Sequence, residues 1–266
     1  MESDLIFDLG MHRGEDTAFY LAKGYRVVAV EADPDLAAAA RAKFADAIAN
    51  GRLVIVDKAI ADAPGRVTLH RNARSVWNTL DANWAARNEL RGHHSQPIEI
   101  EATTLPDVIR EHGVPFYLKI DIEGMDMAAL ASLEAVESRP KYVSIESDKC
   151  SFRALRQELA TLNRLGYKRF KIVDQDAVPK QREPSPALHG ATSGAPIVYG
   201  SSGLFGEEAP GQWMTEDEAI ERYRSIFLRY ALVGDDPYIR SKIVRKLLKQ
   251  LGFRASWYDT HAVRDE

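Results

Sequence analysis

Leu5-Ile6-Phe7-Asp8-Leu9-Gly10-Met11-His12-Arg13-Gly14 decides how the chain is read. An apolar run carrying one acid breaks at Gly10 and Gly14 before the helix-prone stretch Glu15 to Lys23, which is the pattern of strand, tight turn and helix. Glycines in such a turn let the backbone approach a ligand closely, and the following helix presents unpaired N–H groups to it. Tyr25 to Val30 then reads as a second strand that delivers Glu31 about twenty residues past Gly10, where folds of this kind place an acid against a ribose. The unit predicts a nucleoside-like cofactor.

Working outward, Asp33 is placed to cap a helix with Pro34 in its first turn, and Leu53 to Val56 is a buried-type strand ending at Asp57-Lys58. Ala63-Pro64-Gly65 turns the chain into a hairpin strand, Arg66 to His70. Ile98 to Ala102 alternates like an edge strand. Thr104 to His112 is a short helix stopped by Gly113, and Phe116 to Ile120 is a further core strand that carries Asp121-Ile122-Glu123-Gly124 at its end. Lys141 to Ile145 ends at Glu146-Ser147-Asp148, the stripe Phe152, Leu155, Leu159, Leu162 marks a helix, and Arg169 to Val173 another strand. Ile197 to Tyr199 is read as a last short strand. Thr215 to Glu218 has capping-box spacing, and Tyr238 to Leu251 is a basic amphipathic helix. Alternating βα units predict an α/β fold: a doubly wound, mostly parallel seven-stranded sheet with its ligand at the carboxyl ends of the strands. Residues 1–206 are expected to form that domain, with lid-like insertions near 72–97 and 174–196, and 207–266 a helical extension packed on it.

With 266 residues and 29.7 kDa the chain is long enough to bury a full core. A formal net charge of -4 gives no general attraction to nucleic acid. The single cysteine, Cys150, excludes an internal disulfide and suits a reducing compartment. No secretory leader and no bilayer-length apolar run stand out, so a soluble, cytoplasmic protein is expected. Composition leaves oligomeric state open.

The combination Phe7-Asp8-Leu9-Gly10, Val30-Glu31-Ala32-Asp33-Pro34, Ala59-Ile60-Ala61-Asp62, Thr103-Thr104-Leu105 and Leu118-Lys119-Ile120-Asp121-Ile122-Glu123-Gly124 resembles the FkbM family of S-adenosylmethionine-dependent methyltransferases. The resemblance implies a class I methyltransferase sheet and O-methylation of a sugar or natural-product hydroxyl. A nicotinamide oxidoreductase is the rival on fold alone, but Gly10 and Gly14 lack the third glycine of its fingerprint. An N-methyltransferase acting on a peptide or amine is the other alternative.

For this reading Asp8 and the backbone of Gly10, Met11, His12 and Gly14 surround the ammonium and sulfonium of the cofactor, because a carboxylate complements positive charge. Glu31 holds the ribose, with Ala32 beside it, and Asp57 or Lys58 touches the adenine edge. Asp121 and Glu146 lie at the tips of neighbouring strands, so their carboxylates meet beside the methyl. With Asp148 as a third ligand they suit Mg²⁺ or Mn²⁺. Without a metal, Asp121 or a loop histidine such as His12 is the general base. Lys119 is read as a partner for Glu123 or Glu146. Trp77, Trp84 and the loop around His189 are candidates for a substrate lid, and the acceptor is a small hydroxylated molecule, sugar-containing in kind.

Overall fold

The computed structural model describes residues 3–72, 75, 78–82, 85–86, 89, 93–122, 124–149, 151–234, 241, 244, 248 and 255–265. Trp77, Trp84, Glu123, Cys150 and most of the basic stretch 238–251 lie outside them. In chain order the elements are β1 (Leu5–Leu9), α1 (Glu15–Ala22), β2 (Arg26–Val30), α2 (Pro34–Lys43), α3 (Ala45–Ala49), β3 (Leu53–Val56), β4 (Ala59–Ile60), β5 (Gly65–Asn72), β6 (Ser95–Thr103), α4 (Leu105–His112), β7 (Tyr117–Ile120), α5 (Asp126–Ser132), β8 (Tyr142–Glu146), α6 (Phe152–Arg164), β9 (Tyr167–Asp174), α7 (Glu216–Val233) and β10 (Tyr258–Arg264).

The main sheet has the order β3-β2-β1-β7-β8-β10-β9. It is parallel from β3 to β8, and β10 runs antiparallel to both of its neighbours. The order reverses between β1 and β7, which opens a crevice at their carboxyl ends. Side chains alternate across the sheet. One face sends Phe7, Leu9, Leu118, Ile120, Val143 and Ile145 into a core with α4, α5, α6 and α7. The other face packs Ile6, Tyr117 and Tyr142 against Tyr20 and Phe205, and alternation brings Asp8, Lys119, Ser144, Asp259 and His261 to that same face.

Several expectations need revision. Ser95–Thr103 is the centre of a separate three-stranded sheet, parallel to β4 and antiparallel to β5, rather than an edge strand. A half-exposed strand alternates in the same way wherever it lies in its sheet, so periodicity did not separate the two. Ile197-Val198-Tyr199 is coil, with Tyr199 64% exposed. The seventh strand is instead Tyr258–Arg264, so the C-terminal segment supplies both the expected capped helix, α7, and a strand of the sheet. The loop around His189 is no lid. His189 is buried, 5.2 Å from Phe116 and 5.3 Å from Tyr142 between ring centroids, at the amino ends of β7 and β8. Lys23 fastens this segment from below, its buried Nζ 2.9 Å from both Glu183 and Glu208. Among the described residues no helix is long and apolar enough to cross a membrane.

Behind β8 and β10 sits a buried polar network. Ser147 Oγ donates to Glu158 at 2.9 Å and lies 2.6 Å from Thr260 Oγ1, and the Tyr223 hydroxyl donates to Ser147 at 2.8 Å. Burial pushes the Glu158 carboxyl up to about 8, against the hydrogen bonds of Thr260 and Ser147. The folded state therefore holds its proton where the unfolded chain has released it, so this contribution is full below the ordinary carboxylate range and is lost as pH rises to about 8. The urea midpoint is expected to fall between pH 5 and 8, and Glu158→Gln should flatten that fall; an unchanged slope in the variant would assign the proton elsewhere.

Candidate active site

The crevice is organised by an ammonium. Lys119 is buried, and its Nζ lies 3.1 Å from Asp8 Oδ1, 3.1 Å from the Gly10 carbonyl oxygen, 3.5 Å from Asp16 Oδ2 and 3.7 Å from Asp121 Oδ2. Burial opposes its charge, but Asp8, Asp121 and Asp16 outweigh that and hold the lysine well above its usual value. Asp8 is completed by Thr17, whose hydroxyl donates to it at 2.6 Å. Burial, with help from Asp8 and Asp121, pushes Asp16 up to about 7 against Lys119; the Ser202 N–H donates to its two oxygens at 2.9 and 3.0 Å.

The turn after β1 is strapped to the end of β2. Gly10 and Met11 N–H both donate to the Val30 carbonyl at 3.0 Å. A side chain at Gly10 is excluded, since its φ is 79° and a Cβ would come within 1.8 Å of the Asp121 carbonyl oxygen. His12 takes φ 51°, and its N–H donates to Glu31 Oε2 at 2.8 Å while Asp33 N–H donates to Oε1 at 2.9 Å. Each Glu31 oxygen keeps a further lone pair. The carboxylate lines the cleft and is pushed up to about 7 by burial, against those two backbone donors.

The cleft encloses about 900 Å³, counting the part open to solvent, a size suited to a small-molecule ligand. Its apolar lining comes from Leu36, Ala59, Ile60, Leu69 and Leu80. Between β5 and β6, Ser75, Asn78, Thr79 and Leu80 also line the cleft. Asn78 donates to Asp33 Oδ2 at 3.0 Å beside Arg71 at 2.9 Å, and His12 Nε2 meets Ser75 Oγ at 2.8 Å. Asp121 lines the cleft as well, with Glu146 and Asp259 on the next two strands. Burial, then the charge of Asp121, pushes Glu146 up to about 7, with Lys149 opposing at 3.7 Å.

Of the residues singled out in the sequence, Gly10, Met11, His12, Glu31, Ala32, Lys58 and Asp121 line one cleft. Other expected residues lie elsewhere. Asp8 is wholly buried behind the cleft wall, its charge answered by Lys119, so it faces no ligand. Gly14 serves the turn: a Cβ there would strike Phe44 at 2.5 Å. Asp57 points away to Arg41 at 3.0 Å. Lys119 pairs with the acids of β1 and α1 rather than with Glu146. Asp148 accepts the N–H of Ser151 at 2.6 Å, the residue that caps α6, and so is held at that helix start rather than beside Asp121 and Glu146. Among the described residues no three His, Cys, Asp or Glu side chains are gathered to hold a metal ion, so the expected Mg²⁺ or Mn²⁺ site does not fit this arrangement. Asp16 was missed; an acid in the first turn of α1 was the available signal.

A model of the methyltransferase FkbM domain matches residues 8–169. Among solved structures the chain is similar to an FkbM methyltransferase from Methylobacillus flagellatus KT, at 16% identity and a TM-score of 0.43 over 71% of this chain and 42% of that one. It thus spans less than half of that protein's length. It is also similar to a precorrin-6y C5,15-methyltransferase from Geobacter metallireducens GS-15, at 10% identity and a TM-score of 0.41 over 100% of this chain and 82% of that one. A third is a methyltransferase from Geobacter sulfurreducens solved with S-adenosyl-L-homocysteine, at 11% identity and 0.37 over 98% and 83%. No match was found among curated proteins.

Removing the ammonium strands Asp8 as a buried charge, so Lys119→Met is expected to lower stability by roughly 3–5 kcal/mol in denaturant titration. Asp8→Asn in the same background should restore part of the loss.

Proposed function

The chain belongs to the FkbM family of methyltransferases and has the class I fold of S-adenosylmethionine-dependent enzymes; from that premise we propose that it methylates a hydroxyl oxygen of a small, sugar-containing acceptor. The observation that carries the choice of oxygen is Glu146. A carboxylate poised near neutrality stands on the strand next to the cleft-lining Asp121. A neutral amine attacks without losing a proton first, whereas a hydroxyl needs a base as it attacks.

The cleft fits the cofactor by its donor set. Glu31 offers free lone pairs to a pair of vicinal hydroxyls, the apolar lining of Ile60 and Leu69 takes a flat base, and Asp16 with Asp121 faces positive charge. When bound, S-adenosylmethionine supplies an electrophilic methyl group. Asp121 sets the local charge, Glu146 takes the proton leaving the acceptor oxygen, and the Tyr199–Trp257 pair, edge to face at 5.8 Å, offers aromatic surface to a sugar ring. His12, half-buried and held to Ser75, closes the cofactor end rather than reaching the acceptor.

In a thermal-shift assay S-adenosylhomocysteine should stabilise the protein and NAD should not; Glu31→Ala should weaken the homocysteine derivative by at least about tenfold, the worth of one or two hydrogen bonds to a charged group. Turnover, followed as S-adenosylhomocysteine release with hydroxylated sugar acceptors, should rise with pH through about 7 and level above it, because the base acts only when ionised. Glu146→Gln should lower kcat by about 10²–10⁴ without moving cofactor affinity. A pH-independent rate, or full activity in that variant, would remove Glu146 from the reaction.

A further inference from the structure

Around the Asp121 end of the cleft stand more carboxyl groups than the protein's own cations answer. Asp8, Asp16, Asp121, Glu146 and Asp259 share Lys119 and the partly exposed Lys149. Lys119 is spent on Asp8, Asp16 and the Gly10 carbonyl, and Lys149 stands 3.7 Å from Glu146. Asp259 is left over. It is 7% exposed and has no hydrogen-bond or ion-pair partner for its carboxylate among the described residues. Its place is fixed by the sheet: β10 sets it directly opposite Glu146, on the face where Asp121 ends β7. The surrounding charges agree, since burial and then Asp121 and Glu146 hold its carboxyl well above the usual range.

A buried, unpartnered carboxylate is costly unless a ligand completes it. Two residues before it, Trp257 meets Tyr199 edge to face, and the loop carrying Tyr199 also brings Gly200 to the cleft and the Ser202 N–H to Asp16. Carboxylate and aromatic faces together are the surroundings that hold an organic ammonium. We propose that the acceptor carries a protonated amine, as an amino sugar does, and that Asp259 binds this ammonium beside the Tyr199–Trp257 pair while Glu146 serves the reacting hydroxyl. The proposal rests on the methyltransferase reading. An ammonium has no lone pair, so this group anchors the acceptor and leaves methylation to oxygen; no bond to nitrogen forms or breaks.

The test compares glucosamine and galactosamine with glucose, galactose and N-acetylglucosamine by calorimetry on the protein saturated with S-adenosylhomocysteine. The cationic sugars should bind at least about tenfold more tightly than the neutral ones, the effect of one desolvated charge pair. Asp259→Asn should erase that difference, leave S-adenosylhomocysteine affinity unchanged and not lower Tm, because the acid it replaces has no hydrogen-bond or ion-pair partner among the described residues. A purely structural role for Asp259 would lower Tm on substitution. Equal binding or no binding of the amino sugars, or a preference untouched in Asp259→Asn, overturns the proposal. Failure of the wild type to bind S-adenosylhomocysteine at all overturns the methyltransferase reading instead.

Discussion

A single sequestered ammonium ties three elements of this fold together. Lys119 on β7 reaches Asp8 on β1, Asp16 on α1 and the carbonyl of Gly10 in the turn between them. Carboxylates beneath a crevice repel one another, and taking them from water is expensive. The lysine offsets both costs, and so sets how closely the tips of β1 and β7 approach. Gly10 records that closeness, because no side chain fits between its Cα and the Asp121 carbonyl. The shape of the cleft and its electrostatics therefore have one origin.

Around that centre the carboxylates divide the work by what each faces. Asp8 is compensated and silent, whereas Glu31 has each oxygen half satisfied by a backbone N–H and turns its remaining capacity to the cleft. Glu146 has only a distant, partly exposed lysine, which leaves it near neutrality. Asp259 has none. Acids of one chemical type acquire different roles through burial and company alone.

Much of this was legible in the sequence where local pattern and burial agree. The apolar run before Gly10, the strand before Glu31 and the Lys119-Ile120-Asp121 segment each alternate or break as their position demands, and the structure places them at the crevice. Reading failed where the buried face of the sheet is polar. Tyr258–Arg264 carries Asp259, Thr260 and His261 into the interior, so it resembles a hydrophilic tail until its neighbours β8 and β9 are known. Asp8 failed for a related reason: a strand-end acid looks the same in sequence whether it meets a ligand or a lysine 111 residues away. Long-range pairing decides, and a local pattern carries no record of it.

The place of β10 also governs how the molecule comes into being. It lies between two strands that end and begin at residues 146 and 167, yet it arrives from residues 258–264. As the chain leaves the ribosome, β8 and β9 stand apart with a gap the width of one strand, and their unpaired edges have no stable partner in the nascent polypeptide. Closure must wait for a segment more than eighty residues downstream of β9, which makes sheet completion a late, non-local event. Since the same segment sets Asp259 opposite Glu146, no partial product of translation carries the full group of carboxyls that flanks Asp121.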